Sequence, residues 1–393
     1  MENLAHSLLA VVVARTGLSR EVVGGTATLV VAANLPDIDV IAAINGPLHY
    51  LEYHRGVTHS LVAVPVFGIA FSFLLWISQR LRNGKSPPLS RMIFVISLVV
   101  ATHPLLDWTN SYGLRPFLPF DDARLFGDLV FIVDPYLWIL LGVPAFLTCR
   151  YSGKATLVWI TAALGALLAA FWLSSFESIG PTLPAVLLVS IAVTVYLKYR
   201  KPVWSQRLAF VSLGLLVGYW GLLFLARESI ITASTPELEQ RFPHLSNLSA
   251  LPRLADPLSW DLYFEQDGTL FYGSMSVFDE AIPEFERYLR NLNLPPVQAA
   301  RQSCAGAVVD YFGRYHYYRV EPHPDGPLVV FSDLRFKRNG NSGFGTFRIP
   351  MTPDLSGTRL QISCPRSARS RVETLRQDEV LNIRRIAEEL AER

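Results

Sequence analysis

The chain has 393 residues, 51% of them hydrophobic and 17% charged, with a mean hydropathy of +0.30. That balance excludes an ordinary soluble enzyme, in which about a quarter of residues carry charge. The formal net charge is +2, and no basic block is interleaved with aromatics, which excludes a nucleic-acid reader and leaves membrane lipids as the expected partners.

The chain opens on MENLAHSLLAVVVARTG, where no basic residue precedes the apolar run. The segment therefore reads as part of the mature chain, with His6 retained, rather than as a cleaved signal. Residues 5–14 are apolar but would be only about 15 Å long as a helix, too short to span. Arg15 and Arg20 flank a glycine-containing turn, and residues 21–34 are apolar again. The pattern predicts a half-depth helical hairpin whose open ends, His6 and Asp37, meet on the outer side. Such a broken element is tolerated in a membrane only where it lines protein or a watery cavity.

Next comes NLPDIDV, with Asp37 and Asp39, and then EYHRGVTHSL, with His54, Arg55 and His59. His49 and Glu52 read as loop residues rather than ligands. His54 and His59 are five apart and would diverge on a straight helix. That puts His54 in a loop, Thr58 near an N-cap and His59 in the first turn of the following helix. Residues 57–79 and 92–108 are long enough to cross a membrane, and the second span leads into HPLLDWTNSYG. His103 and Asp107 are i, i+4 and share a helix face, although Pro104 between them predicts a kink. GDLVFIVDP then carries Asp128 and Asp134 into a span at 129–149, and three more spans are expected at 155–176, 179–197 and 208–226.

Basic residues sort by loop: Arg80, Arg82, Lys85 and Arg91, then Arg150 and Lys154, then Lys198, Arg200, Lys201 and Arg207. Under the positive-inside rule these loops are cytoplasmic, in a multi-pass protein of the inner (cell) membrane. Residues from 227 onward then lie outside. In that tail, WDLYFEQDGTLFYGSMSV reads as a hairpin about Gln-Asp-Gly, followed by further strand-like runs broken at Pro-Asp-Gly and Asn-Gly-Asn. A last helix carries Ile383, Ile386, Ala387 and Leu390 on one face. Of the three cysteines, Cys149 ends a span, and no C-x-x-C is present, so thiolate metal ligation is not expected. Cys304 and Cys364 read either as a disulfide, if the tail is extracytoplasmic, or as two buried thiols. The expected fold is an all-α polytopic membrane core (1–150), additional transmembrane helices (151–226) and a separate C-terminal α+β soluble domain (227–393).

Ionisable groups at membrane depth are expensive and mark function. Here histidines and aspartates recur together in five short clusters, and the topology brings all five to the outer boundary. Imidazole with carboxylate is the ligand set of zinc, manganese or iron rather than of calcium. Taken singly, each residue has a structural reading: Asp37 as a turn residue, His6 as an interfacial histidine, Asp134 as a helix cap, Arg55 as a partner for lipid phosphate.

In His6, PDIDV, HRGVTHSL, HPLLDWTNSYG and VDPYLW, in that order, the sequence resembles bacterial membrane-bound metal-dependent hydrolases of the YdjM/YbcI type, over about the first 140 residues. The resemblance implies a helical membrane core with a metal centre and hydrolase activity. The H-x-x-x-D pair is also similar to one in zinc-dependent phospholipase C. On this basis His6, Asp37, Asp39, His54, His59, His103 and Asp107 are the expected ligands of two or more divalent ions, zinc first. A phosphoester, lipid or lipid-linked, would be hydrolysed by metal-activated water. Arg55 would offer a bidentate fork to phosphate and Asp134 would take a proton. Asp128 would orient a ligand, and Asn110 and Tyr112 would contact substrate. The rival readings are a metal-ion or proton-coupled transporter, whose polar line would continue across the membrane, and a membrane anchor for a binding module in the tail.

Overall fold

Two short apolar runs separated by a glycine-rich turn form the first helix pair, Asn3–Arg15 (α1) and Thr26–Asn34 (α2), packed side by side. The computed structural model describes residues 2–83, 85–148, 161, 163–165, 167–168, 182–200, 205–336, 344–358, 364–365, 367–369 and 371–372. His6 and Asp37 do come to the same end of this hairpin. Its second arm is longer than expected, however. A 3-10 segment, Leu35–Asn45, extends α2, and Thr26–Asn45 together is 20 residues, long and apolar enough to cross a membrane. Asp37 and Asp39 therefore sit within a helical run and not at its end.

A short helix, Pro47–Tyr53 (α3), and a 3-10 turn, Val57–His59, lead into Ala63–Asn83 (α4). His49 and Glu52 are buried on α3, not in a loop. His59 precedes α4 instead of lying in its first turn, and the residue that caps this helix is Ser60, whose Oγ accepts from the Ala63 amide at 3.2 Å. Leu89–Trp108 (α5) stays helical through Pro104. Pro135–Thr148 (α6) begins six residues later than expected, and these 14 residues cover roughly 21 Å. Residues 129–130 instead close a bridge to Asn110. Thr182–Arg200 (α7) follows, and Ser205–Arg241 (α8) does not stop at Ala226 but runs on for 15 residues, so the expected tail begins as the last turns of a helix. Cys149, Arg150, Lys154, most of the span at 155–176, Lys201, the Asn-Gly-Asn turn and the last helix with Ile383 to Leu390 lie outside the described residues.

Among the described residues, the molecule thus has a mostly helical N-terminal region, in which four helices are long and apolar enough to cross a membrane, and a C-terminal region with two small antiparallel sheets. The first sheet is Ser246–Arg253 (β1), Asp256–Gln266 (β2), Thr269–Ser276 (β3) and Glu286–Leu289 (β4), paired in that order. The β2–β3 hairpin turns at Asp267-Gly268, both with positive φ (49° and 71°), the conformation that Asp-Gly adopts in a two-residue turn. Pro295–Arg301 (α9) and Cys304–Phe312 (α10) connect to the second sheet, His316–Glu321 (β5), Leu328–Asp333 (β6) and Thr346–Pro350 (β7). Cys304 and Cys364 are joined by a disulfide with Cα atoms 5.8 Å apart.

The sheets and the helical region share apolar clusters. Leu48 and Leu51 of α3 and Tyr112, just past α5, belong to one apolar cluster with Val308, Phe312, Phe331 and Ile349 of the second sheet and its helices. Trp260, Leu262 and Met275 of the first sheet join the cluster formed by α1, α2, α5, α6 and α8. Ion pairs stitch the same seam. Asp128 takes both bonds from Arg314 Nη1 (3.0 and 2.8 Å), Glu52 pairs with Arg371, and Arg335 Nη1 donates to the Ser111 carbonyl at 2.9 Å.

Candidate metal centre

His103 and Asp107 lie one turn apart on the buried face of α5, and the helix that survives Pro104 keeps them on one side. His103 Nε2 is 3.4 Å from Asp107 Oδ2. The other ring nitrogen, Nδ1, lies 2.6 Å from the Ala33 carbonyl at the end of α2. A carbonyl can only accept, so Nδ1 carries a proton, and in the neutral form of the ring the lone pair is at Nε2.

His59 is oriented in the same sense from the 3-10 turn. Thr58 Oγ1 donates to Asp39 Oδ2 at 3.0 Å and lies 3.0 Å from His59 Nδ1, from which it accepts. His59 Nε2 then points at His103 Nε2, only 3.1 Å away. In the neutral forms two lone pairs would face each other there, a repulsion that a proton or a metal ion would relieve. Carboxylates complete the group: His59 Nε2 is 3.2 Å from Asp107 Oδ2 and 3.5 Å from Asp37 Oδ1, and His103 Nε2 is 3.4 Å from Asp37 Oδ1. One donor atom from each of Asp37, His59, His103 and Asp107 lies within 4.8 Å of all the others, and Asp37, Asp39 and His54 form a second such group. Asp37 is common to both. His59, His103 and Asp107 are buried, while Asp37 is 18% exposed at its side chain and so opens the group outward.

His54 Nδ1 is 3.0 Å from Asp39 Oδ1. Burial lowers the pKa of His54 against the pull of that carboxylate. His6, on α1, stacks on His103 with ring centroids 3.7 Å apart, and its Nε2 is 3.6 Å from Asp107 Oδ1. Both ring nitrogens of His6 are buried without a hydrogen-bond partner. An orphaned imidazole costs free energy at this depth, and a ligand role beside the other donors accounts for it. Together these residues fit a divalent ion of the zinc class by donor type and by convergence.

Arg55 enters this constellation differently from the expectation. Its Nη2 pairs with Asp107 Oδ1 at 2.8 Å and its Nη1 donates to Asn110 Oδ1 at 2.9 Å, so the bidentate face is already engaged and Nε alone remains a buried, unpartnered donor. The guanidinium lies 4.6 Å from the centroid of the Tyr112 ring. Holding it there requires a backbone turn with Arg55 at φ 56°, followed by Gly56, where a Cβ would come within 2.7 Å of both the Tyr53 carbonyl and Arg115 Nη2. Asn110 and Tyr112 are buried beside Arg55, and burial raises the Tyr112 pKa.

Asp128 and Asp134 are not brought into the group. Asp128 belongs to the seam with Arg314. Asp134 is the cap of α6: Oδ1 accepts from the Tyr136 and Leu137 amides (2.8 and 3.3 Å) and Oδ2 accepts from Tyr219 at 2.8 Å, so its carboxylate is fully occupied by structure. Two participants escaped the sequence reading. Thr58 orients His59 and Asp39, and Asn3 donates to Asp37 Oδ2 at 2.8 Å. Asn3 stands three residues before His6, a helical i, i+3 spacing that would have flagged it.

Residues 1–177 match the family described as YdjM inner membrane protein, as the motif resemblance had implied for this part of the chain. The match carries no catalytic assignment. A stretch of 104 residues is 27% identical to the uncharacterized protein YfhP of Bacillus subtilis, covering 26% of this chain and 30% of that protein. The chain thus matches less than a third of the length of that relative. No solved structure matches. With this family match and its long apolar helices, the chain is a membrane protein with a possible metal-site cluster at one end of those helices.

Proposed function

We propose that this chain is a membrane-bound, metal-dependent hydrolase of phosphoesters. The observation that carries the reading is the facing pair of imidazole nitrogens, His59 Nε2 and His103 Nε2, 3.1 Å apart and flanked by Asp37 and Asp107. These four, with His6 alongside, would hold one zinc-type ion. Asp37, Asp39 and His54 would hold a second, with Asp37 shared. Such ions supply a water of pKa near 7 and polarise a phosphoryl oxygen.

The chain's own groups do the rest. Ala33 and Thr58 fix the tautomers of the two histidines, and Arg55 holds Asp107 in place. Arg55 Nε and Asn110 Nδ2 are buried donors without protein partners, suited to a phosphoryl oxygen. Ile38, Val40, Ile41 and Ile44 stand exposed on the segment that carries Asp37 and Asp39. Apolar residues flanking the ligands favour a lipid or lipid-linked ester, delivered from the bilayer. The disulfide favours an oxidising, extracytoplasmic side for the tail, in line with the basic cytoplasmic loops.

The carrier reading asks for a polar line running on through the membrane. Below His103 the buried face of α5 is Met92, Val95, Ile96, Val99 and Val100, all apolar. The anchor reading asks for a tail that folds apart from the membrane region, and the shared cluster of Leu48, Leu51 and Tyr112 speaks against it. The test is elemental analysis of the purified full chain, followed by a hydrolysis screen over phospholipids and simple phosphoesters. At least one equivalent of zinc or manganese and metal-dependent release of phosphate or alcohol are expected. Negligible metal in both wild type and His103→Ala would end the proposal.

A further inference from the structure

Beyond the ligand helix, residues 114 and 125 tie a loop by reciprocal backbone bonds (3.0 and 2.8 Å), and this loop carries Arg115 and Arg124. Neither pairs with a carboxylate among the described residues. Arg115 is 5% exposed; its Nη2 donates to the Glu52 carbonyl, and its Nε is buried with no partner. Arg124 makes one long bond, Nη1 to the Gly113 carbonyl at 3.4 Å, while its Nε and Nη2 are both buried with no partner. A third guanidinium, of Arg371, lies 4.0 Å from the centroid of the Tyr311 ring, with Arg115 at 5.6 Å and Arg124 at 5.8 Å from the same ring. Three cations thus gather about one tyrosine, and the acid paired among them, Glu52, belongs to Arg371.

Among the described residues, three other inward-facing arginines each have a carboxylate. Arg55 has Asp107, Arg314 has Asp128 and Arg335 has Asp333. Against that background two unmatched guanidiniums are anomalous, because a buried, unpaired charge is strongly unfavourable. Burial and the neighbouring Arg115 together push Arg124 down to about 10, as expected of cations held close without a counter-charge. A planar fork of donors in such a setting is suited to phosphate oxygens. The location is also informative. The Tyr112 ring has the Arg55 guanidinium 4.6 Å from its centroid and that of Arg124 at 6.0 Å, so one aromatic ring separates this cluster from the metal centre.

We propose that Arg115 and Arg124 form a binding site for a phosphate group, walled by Tyr311 and separated from the metal centre by Tyr112. Its ligand is a phosphate ester, either a lipid headgroup or a soluble molecule. Identifying that ester with the substrate rests on the hydrolase reading; the binding of phosphate does not.

The test uses the full chain in detergent with EDTA present, so that metal cannot contribute. Its unfolding midpoint is followed while inorganic phosphate is added against sodium chloride of equal ionic strength. In a parallel series dioleoyl phosphatidic acid is added against dioleoylglycerol in mixed micelles. A rise of several degrees is expected with at least one probe. A rise with phosphatidic acid alone assigns the site to a headgroup, and a rise with both assigns it to soluble esters as well. Arg124→Met should show an equal or higher midpoint without ligand, since it removes an unpaired buried charge, and should lose the rise. Arg124→Lys, which keeps the charge but not the fork, should bind about tenfold more weakly. His103→Ala should keep the full rise, which separates this site from any failure of the metal reading. No rise in wild type with either probe, or an undiminished rise in both Arg124 variants, overturns the proposal.

Discussion

Asp333 and Asp107 are both buried aspartates beside an arginine, and their surroundings differ in kind. Asp333 accepts from Arg335 Nε and Nη2 and from the backbone amides of Arg314 and Arg335, so donors surround it. Asp107 has Arg55 at Oδ1, but its Oδ2 faces two imidazole nitrogens, His59 Nε2 and His103 Nε2, whose other ring nitrogens have acceptors of their own. The first arrangement is complete within the protein and belongs to the seam between the helical region and the sheets. The second brings together donor types that would suit a divalent cation. Burial and residue type alone do not distinguish them; the groups that face their oxygens do.

The largest effect should come from removing a donor from the second arrangement. His103→Ala or Asp107→Asn should lower zinc affinity of the purified chain at least about 100-fold, measured by competition with a chelating dye. Asp333→Asn, a similar change in a complete pair, should leave affinity within about twofold. Equal loss of metal in both would erase the contrast and make the cluster a structural network.

The converse effect is on stability. Breaking the Asp333–Arg335 pair leaves a buried guanidinium uncompensated, so Asp333→Asn should cost about 3–5 kcal/mol in unfolding free energy. Burial raises the Asp333 pKa, but the Arg335 charge and its hydrogen bonds outweigh this and hold it below the usual carboxylate value. A depressed folded-state pKa contributes stability that is present above the unfolded value of about 3.9 and is lost as pH falls through the folded one. Denaturation midpoints should accordingly show no pH dependence from this pair between pH 8 and 5, where its contribution is full, and should decline only below about pH 4. The decline should be shallower in Asp333→Asn. Next in size is the disulfide, which closes 60 residues of chain across α10 and the second sheet. Replacing Cys304 and Cys364 together by serine should cost about 2–4 kcal/mol with metal affinity unchanged. A fall in affinity as well would mean that the tail helps to shape the metal centre through α3 and Tyr112.

What the sequence made legible follows from the same distinction. His103 and Asp107 were readable as a pair because their spacing is local and helical. Asp37, Asp39, His54 and His59 were readable as a group, though not in place, because 3-10 segments rather than α-helices carry three of them. Asp128 and Asp134 carried the same chemical signal and were misassigned, because their partners, Arg314 and Tyr219, lie 186 and 85 residues away. The hairpin at Asp267-Gly268 was legible from turn chemistry, whereas the continuation of α8 past Ala226 was hidden by a fall in hydrophobicity that contacts with β1 and β2 offset. The contacts of Leu48 and Leu51 with the second sheet's cluster were equally hidden, since that stretch read as a loop and its partners lie far along the chain.

The smallest predicted effect tests the orientation argument most directly. Thr58→Val keeps shape and volume and removes the hydroxyl that joins Asp39 to His59 Nδ1. If that hydroxyl fixes the tautomer, zinc affinity should fall about tenfold, the low end for a group that orients a ligand. The unfolding free energy should change by only about 1 kcal/mol. Thr58→Ser restores the oxygen and should recover most of the affinity, a rescue that packing alone would not give. Were Thr58→Val to bind zinc as tightly as wild type, Asp39 Oδ2, 3.3 Å from the same Nδ1, would be sufficient to hold the ring, and the role of Thr58 would reduce to positioning Asp39.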